Sequence, residues 1–270
     1  MYVITLLFII FIVSTTYGII EFALHQKRIF SIPIRIHVNG TRGKSSVTRL
    51  IGAAFRQAEI RTITKVTGSS PRLILEDGSE NRIYRKSDAN IIEQLSIVKL
   101  ASERKVRAIV MECMAIQPQY QWITEAKMMH STIGVITNVR LDHVDIMGYT
   151  LPEIAASIGK TIPRGQHLFT SENQILNKLE EISHRQKTAI HVADPNSVSN
   201  EEMDGFNYIE HKENVALALK VCEHVGIERS IALQGMYNAT PDSGALKYSR
   251  VEAYQNTIHF YNAFAANDPQ

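Results

Sequence analysis

Residues 34–46, Ile-Arg-Ile-His-Val-Asn-Gly-Thr-Arg-Gly-Lys-Ser-Ser, decide how this chain reads. Ile34, Ile36 and Val38 alternate as one face of a buried strand, and Gly40 to Gly43 form a tight loop. Val47, Leu50, Ile51, Ala54 and Phe55 then recur at helical spacing, so a helix opens near Ser45. A glycine loop feeding a helix N-terminus holds phosphate, because free amide N–H groups and the helix dipole both favour an anion there. Lys44 adds a point charge for terminal phosphates, and the Ser45 hydroxyl stands where such loops ligate Mg²⁺. ATP binding is the expectation.

The general pattern G-x-x-x-x-G-K-[ST] asks for glycine at position 38, where this chain has Val38. The first glycine is instead Gly40, within Gly40-Thr41-Arg42-Gly43-Lys44-Ser45. A loop written G-T-x-G-K-[ST] resembles the variant of Mur-type amide ligases and folylpolyglutamate synthases. Taken alone, it points to nucleotide binding without naming a reaction.

Composition narrows the field. A chain of 270 residues can bury one sizeable core, or carry a membrane segment and about one and a half domains. Its net charge of +2, with no basic run interleaved with aromatics, argues against a nucleic-acid partner. The two cysteines, Cys113 and Cys222, lack metal-ligand spacing and read as reduced cytosolic thiols.

Residues 2–20 contain no charged side chain and are dense in Ile, Leu, Val and Phe, long enough to cross a bilayer as a helix. Lys27 and Arg28 follow, and the positive-inside tendency then puts the body in the cytoplasm. A basic n-region and a small-residue cleavage site, the marks of a signal peptide, are not convincing here. The expected organisation is a transmembrane anchor over 1–21, a juxtamembrane linker over 22–33 and an ATP-binding domain over 34–250. A single-pass protein of the cell membrane follows from that organisation.

Beyond the loop, helical and strand patterns alternate: a helix around Ile91, Leu95 and Val98, strands over 108–111 and 132–137, helices over 151–158 and 215–225. Alternation of this kind predicts an α/β fold, a mostly parallel sheet flanked by helices, with ligands at the carboxyl ends of the strands. Residues 67–88, rich in Gly, Ser, Arg and Asp, read as an irregular loop with a hairpin near Asp77-Gly78. Arg72, Arg82, Arg85 and Lys86 in this region either hold a polyanionic acceptor or form a solvated basic face.

Three further segments fall where such a fold collects ligands. Glu112 ends the apolar run Ala-Ile-Val-Met-Glu, where a carboxylate either binds Mg²⁺, directly or through water, or simply faces solvent. Asn138, Asp142, His143 and Asp145 crowd the end of the strand before them, a density of oxygen and imidazole suited to a divalent cation. Asn214 opens the last clear helix; by itself it marks a helix N-terminus and nothing more.

In order and spacing, N-G-T-R-G-K-S-S, V-M-E-C-M-A, I-T-N-V-R-L-D-H-V-D-I-M-G and E-N-V-A-L-A-L resemble the Mur-type ligase superfamily. Within it they are most similar to the ATP-dependent ligase subunits of bacterial poly-γ-glutamate synthase, the capsule-polymer enzymes. Pro241-Asp242-Ser243-Gly244-Ala245-Leu246 and Ala263-Phe264-Ala265-Ala266-Asn267-Asp268 belong to the same resemblance. It implies that Gly40, Thr41, Gly43, Lys44, Ser45 and Ser46 cradle the phosphates, and that Ser45 and Glu112 hold one Mg²⁺ with His143 on a second. Asn138 and Asp142 would order the strand-end loop, and Asn214 would contact adenine. Catalysis would rest on Lys44, Glu112 and His143. Implied partners are glutamate, the polyglutamate chain, other membrane subunits of a synthase and a second copy of this chain.

Two departures qualify the resemblance. Mur-type ligases often carry a carbamylated lysine in the helix after the Asp-His motif, but that spacing lands on Ser157 or Ile158. The nearest lysine, Lys160, is displaced by about 200° around a helix. Family members also have a C-terminal α/β domain that closes over ATP; residues 251–270 are expected to be the start of one, truncated here. The alternatives are another Mur-type ligase, acting on a peptidoglycan precursor or folate, or a catalytically incomplete ATP-binding subunit of a membrane complex.

Overall fold

In the computed structural model, residues 2–68, 70–85, 89–242, 247–253 and 256–262 are described. Lys86, residues 243–246 and residues 263–268, singled out from sequence, lie outside them. The chain runs α1 (Tyr2–Phe30), β1 (Ile34–Asn39), α2 (Lys44–Gln57), β2 (Thr62–Val66), β3 (Arg72–Ile74), β4 (Glu80–Arg82) and α3 (Glu93–Glu103). Next come β5 (Ala108–Glu112), α4 (Pro118–Ile123), a π-helical turn (Thr124–Met129), β6 (Ile133–Ile136), α5 (Val144–Met147) and α6 (Leu151–Ile158). Then come β7 (His167–Thr170), α7 (Leu176–Gln186), β8 (Ala189–Val192), α8 (Asn200–Met203), α9 (Lys212–Val225), α10 (Arg229–Tyr237), β9 (Lys247–Ala253) and β10 (Asn256–Asn262).

Eight strands form one sheet in the order β4-β3-β2-β5-β1-β6-β7-β8, and β2, β5, β1, β6, β7 and β8 are mutually parallel. Strand β1 lies between β5 and β6, so the chain leaves it in both directions. Crevices open at such switch points, beyond the strands' carboxyl ends. The hairpin expected near Asp77-Gly78 is the antiparallel pair β3–β4, which extends the sheet through β2.

Side-chain alternation splits the core into two faces. Ile36 and Val38 of β1 join Val47, Leu50, Ile51 and Phe55 of α2 and Val215, Leu217 and Val221 of α9. On the other face, Ile63, Ile109 and Met111 pack under α3, and Ile136 and Leu168 pack under α6 and α7. Each fully buried aliphatic side chain of this size contributes about 1.5–3 kcal/mol.

Between those two patches β1 presents polar residues inward. His37 pairs with Glu125 of the π-helical turn at 2.8 Å, and Ser131 donates to the same carboxylate at 2.8 and 2.9 Å. Asn39 donates to Gln121 at 2.9 Å and to Thr161 at 3.2 Å. Burial opposes a charge on His37, but Cys113 and Glu125 beside it push its pKa up to about 10.

The segment expected as a linker, residues 22–33, is largely helical. Helix α1 continues through Lys27 and Arg28 to Phe30. Its last turns are pinned: the His25 ring nitrogen lies 2.8 Å from the Met128 carbonyl, Gln26 donates to the Lys127 carbonyl at 2.9 Å, and Ile29 is buried beneath α3. Its N-terminal part is exposed and has a mean hydropathy of 2.4, long and apolar enough to cross a membrane. At the other end, the boundary expected at residue 250 falls inside β9, which pairs with β10 as a separate antiparallel ribbon.

Candidate active site

Three strand ends meet at the switch point: Asn39 of β1, Glu112 of β5 and Ile136 of β6. The glycine loop leaves β1 with Gly40 at φ +133° and enters α2 through Gly43 at φ +78°, both conformations that L side chains rarely adopt. Space is equally restrictive at Gly43, where a Cβ would stand 2.6 Å from Asn214 Oδ1. Helix α2 has no side-chain N-cap, so its first-turn amides are left for an outside acceptor. The structure therefore fits a phosphate cradle.

Asn138 locks that loop. Its Oδ1 accepts from the Thr41 hydroxyl at 2.7 Å and from the Arg42 amide at 3.0 Å, while its carbonyl accepts from the Thr41 amide at 3.1 Å. Thr137 Oγ1 donates to the Arg42 carbonyl at 2.6 Å, and the Arg140 amide donates to Thr41 Oγ1 at 2.9 Å. Thr41, expected on phosphate, is thus also the joint between the β1 and β6 ends.

Lys44 folds back over the loop, donating to the Gly40 and Thr41 carbonyls at 2.8 and 3.0 Å. Ser45 Oγ donates to Glu112 Oε2 at 2.9 Å, and the Thr67 amide donates to the same oxygen at 2.7 Å. Glu112 is 2% exposed, so a hydroxyl and a shielded carboxylate share one small space. An oxygen pair of this kind suits a hard divalent cation.

A cavity of about 160 Å³ is lined by Gly40, Thr41, Lys44, Thr67, Asp142 and His143 among others. His143 caps the short helix α5 at φ +43°, a left-handed conformation uncommon outside glycine. Asp142 accepts from the His143 amide at 3.1 Å, with its Oδ1 3.9 Å from the ring Nε2. The ring is half exposed and faces the same cavity as Lys44. Ser46 lies in the first turn of α2, half-buried.

Asn214 sits at the rim, against Gly43, and donates to Glu210 at 2.8 Å. Burial pushes the Glu210 carboxyl up in spite of that bond. Of the basic residues near the hairpin, Arg85 is held by Glu93 at 2.7 Å, and the Arg82 guanidinium lies 5.5 Å from the Tyr84 ring. Lys160 lies outside the phosphate cavity, lining a different hollow with Phe30, Trp122 and Arg164. Ser157, where the family spacing would place a lysine, is buried and accepts from Gln121 at 3.3 Å.

Two residues escaped the sequence reading. Lys65 of β2 is fully buried, 2.7 Å from Glu93 and 3.0 Å from Gln94 Oε1, with Met114 Sδ at 3.4 Å. Burial pushes its pKa down against the pull of Glu93. A lysine inside the apolar run Thr-Ile-Thr-Lys-Val was the available signal. Asp242 brings a carboxylate oxygen against Gly68, beside Ser45; in the sequence it stands out only as part of a segment of resemblance.

Residues 38–240 match the Mur ligase middle domain. The chain is 44% identical to the capsule biosynthesis protein CapB of Bacillus anthracis over 255 residues, 94% of this chain and 55% of that protein. It is 39% identical to the PGA synthase CapB of Bacillus subtilis (strain 168) over 253 residues, 93% of this chain and 64% of that protein. It therefore spans between about half and two thirds of the length of these relatives. Among solved structures, the bifunctional folylpolyglutamate synthase/dihydrofolate synthase of Yersinia pestis, complexed with AMPPNP and Mn, matches with a TM-score of 0.64 at 16% identity. That match covers 82% of this chain and 61% of the other. E. coli FolC in complex with ADP matches with a TM-score of 0.67 at 13% identity, covering 89% of this chain and 64% of that one. At these identities the structural matches establish the fold.

Proposed function

Since this chain belongs to the Mur ligase family, we propose that it carries the ATP site of an amide ligase that adds glutamate to a γ-linked polyglutamate. Its similarity to two capsule and PGA synthase proteins supports that substrate class. The observation that carries the reading is the 2.9 Å contact of Ser45 with Glu112, set beside Lys44 at the sheet's switch point.

The residues divide the work. Loop amides and Lys44 receive the phosphates, Lys44 exchanging its two carbonyl partners for phosphate oxygens. Ser45 and Glu112 would hold one Mg²⁺, and His143, with Asp142 beside it, would hold a second near the acceptor. Bound cations supply neutralisation of the charge that accumulates between phosphate and carboxylate. The acceptor's terminal carboxylate takes the γ-phosphoryl group of ATP, and the incoming amino group then displaces phosphate, leaving ADP. Positioning and charge neutralisation are the protein's contribution. Asn214, at the rim beside Gly43, contacts adenine. The exposed part of α1 anchors the chain in the cell membrane with its body in the cytoplasm, beside the other subunits of a synthase.

Glutamate-dependent turnover of ATP in membranes carrying this chain with those subunits tests the reading. ADP together with acid-precipitable polyglutamate is the expected result. AMP as product would overturn the acyl-phosphate step, and ATP binding without glutamate-dependent turnover would remove the ligase assignment.

A further inference from the structure

Three histidines far apart in sequence meet on the α9 face of the sheet. His167 opens β7, His191 lies in the neighbouring strand β8, and His224 lies in the last turn of α9. His167 Nδ1 and His191 Nε2 are 3.1 Å apart, and one ring nitrogen from each of the three lies within 4.8 Å of the others. Ring centroids are 4.3–5.6 Å apart, and Phe169 stacks on His191 at 4.5 Å and 13°.

We propose that His167, His191 and His224 form a transition-metal site of zinc type, separate from the nucleotide crevice. A tetrahedral zinc with nitrogen ligands at about 2.0–2.1 Å sets those nitrogens roughly 3.4 Å apart, within the spread seen here. Small rotations of three side chains therefore close the site. Two of the rings are half-buried and the third is exposed, so the ion is reached from solvent through His224.

The donor set selects the ion. All three ligands are imidazoles, and the nearby Glu223 carboxylate is engaged by Lys220 at 3.0 Å. Imidazole donors suit zinc, copper or nickel, whereas Mg²⁺ prefers the oxygens of Ser45 and Glu112. Three protein ligands leave a fourth position open for water.

Such an ion would clasp the edge strand β8 and its neighbour β7 to α9. The N-terminal end of that same helix carries Asn214 against Gly43. The clasp thus secures the far end of the helix that borders the phosphate loop.

The test is a zinc titration of untagged full-length chain in detergent, against a chromophoric chelator, with millimolar Mg²⁺ present to fill the oxygen site. Native chain should hold one zinc, and His191→Gln and His224→Gln should each weaken it by about 100-fold. Cobalt in place of zinc should show the visible bands of four-coordinate geometry in native chain and lose them in both variants. Because His224 is exposed, His224→Gln should melt like native chain in the presence of EDTA, while zinc raises the melting temperature of native chain alone. Zinc held equally by both variants, or none held by native chain, overturns the site.

Discussion

Ser45 donates its hydroxyl hydrogen to Glu112 over 2.9 Å although the two are 67 positions apart in the chain. The start of α2 and the end of β5 thereby close on one carboxylate, which the Thr67 amide also holds at 2.7 Å. Glu112→Gln keeps the size and removes the charge. We expect metal-dependent ATP binding to weaken by about 10–100-fold, with folding intact. Mn²⁺ titration followed by electron paramagnetic resonance measures it; unchanged Mn²⁺ affinity would take Glu112 out of the site.

Lys44→Ala removes the cation over the loop and leaves the Gly40 and Thr41 carbonyls to water. Polymer synthesis should fall by about 100-fold or more, while membrane attachment stays as in the native chain. Radiolabelled glutamate incorporation reads the first effect and fractionation the second. Retained synthesis contradicts an ATP-driven ligation.

Asn138→Ala should act through the loop rather than on a ligand. It deprives the Thr41 hydroxyl and the Arg42 amide of their acceptor, at a cost of about 1–3 kcal/mol. A lower melting temperature that nucleotide partly restores is the expected signature. A variant that melts like native chain yet fails to bind nucleotide would instead make Asn138 a direct contact.

The His37–Glu125 pair predicts a pH dependence of stability. With a folded pKa near 10 against an ordinary value near 6.5, protonated His37 stabilises the native state fully below about pH 6.5. That stabilisation shrinks as pH rises and is gone above about pH 10. Glu125→Gln should therefore be most destabilised relative to native chain near pH 6, by about 3–5 kcal/mol for a broken buried pair. Denaturant melts at pH 6 and pH 9.5 compare the two; a pH-independent difference would show that His37 is neutral in the fold.

Removal of residues 1–21 should release the body into the soluble fraction, since the buried contacts of His25 and Ile29 lie beyond the cut. Continued sedimentation with membranes would mean a second tether.

Strand and helix periods in the sequence were enough for the parallel core, because Ile36, Val38 and the α2 stripe obey simple alternation. The nucleotide loop was legible for a different reason: positive φ at Gly40 and Gly43 restricts the residue type, and that restriction survives in the letters. What was not legible depends on distance through space. Nothing local says that Lys65 is buried with Glu93, that Arg85 is occupied by the same carboxylate, or that three histidines on three elements converge. The helical continuation of α1 past Lys27 and Arg28 was hidden too, because charged residues look like a linker until Ile29 and His25 find a partner to pack on.

Strand β1 has the long apolar helix α1 at one end and the glycine loop at the other. Helix α1 delivers the chain to Ile34, and five residues later Asn39 hands it to the phosphate loop. At about 3.3 Å per residue, some 17–20 Å of stiff backbone separates the two. If α1 is embedded in a bilayer, that strand becomes a stand-off. Under the proposed ligase function it would set the height and heading of the reaction centre, so that a polymer grown there would be presented from a fixed bearing instead of from the end of a loose leash.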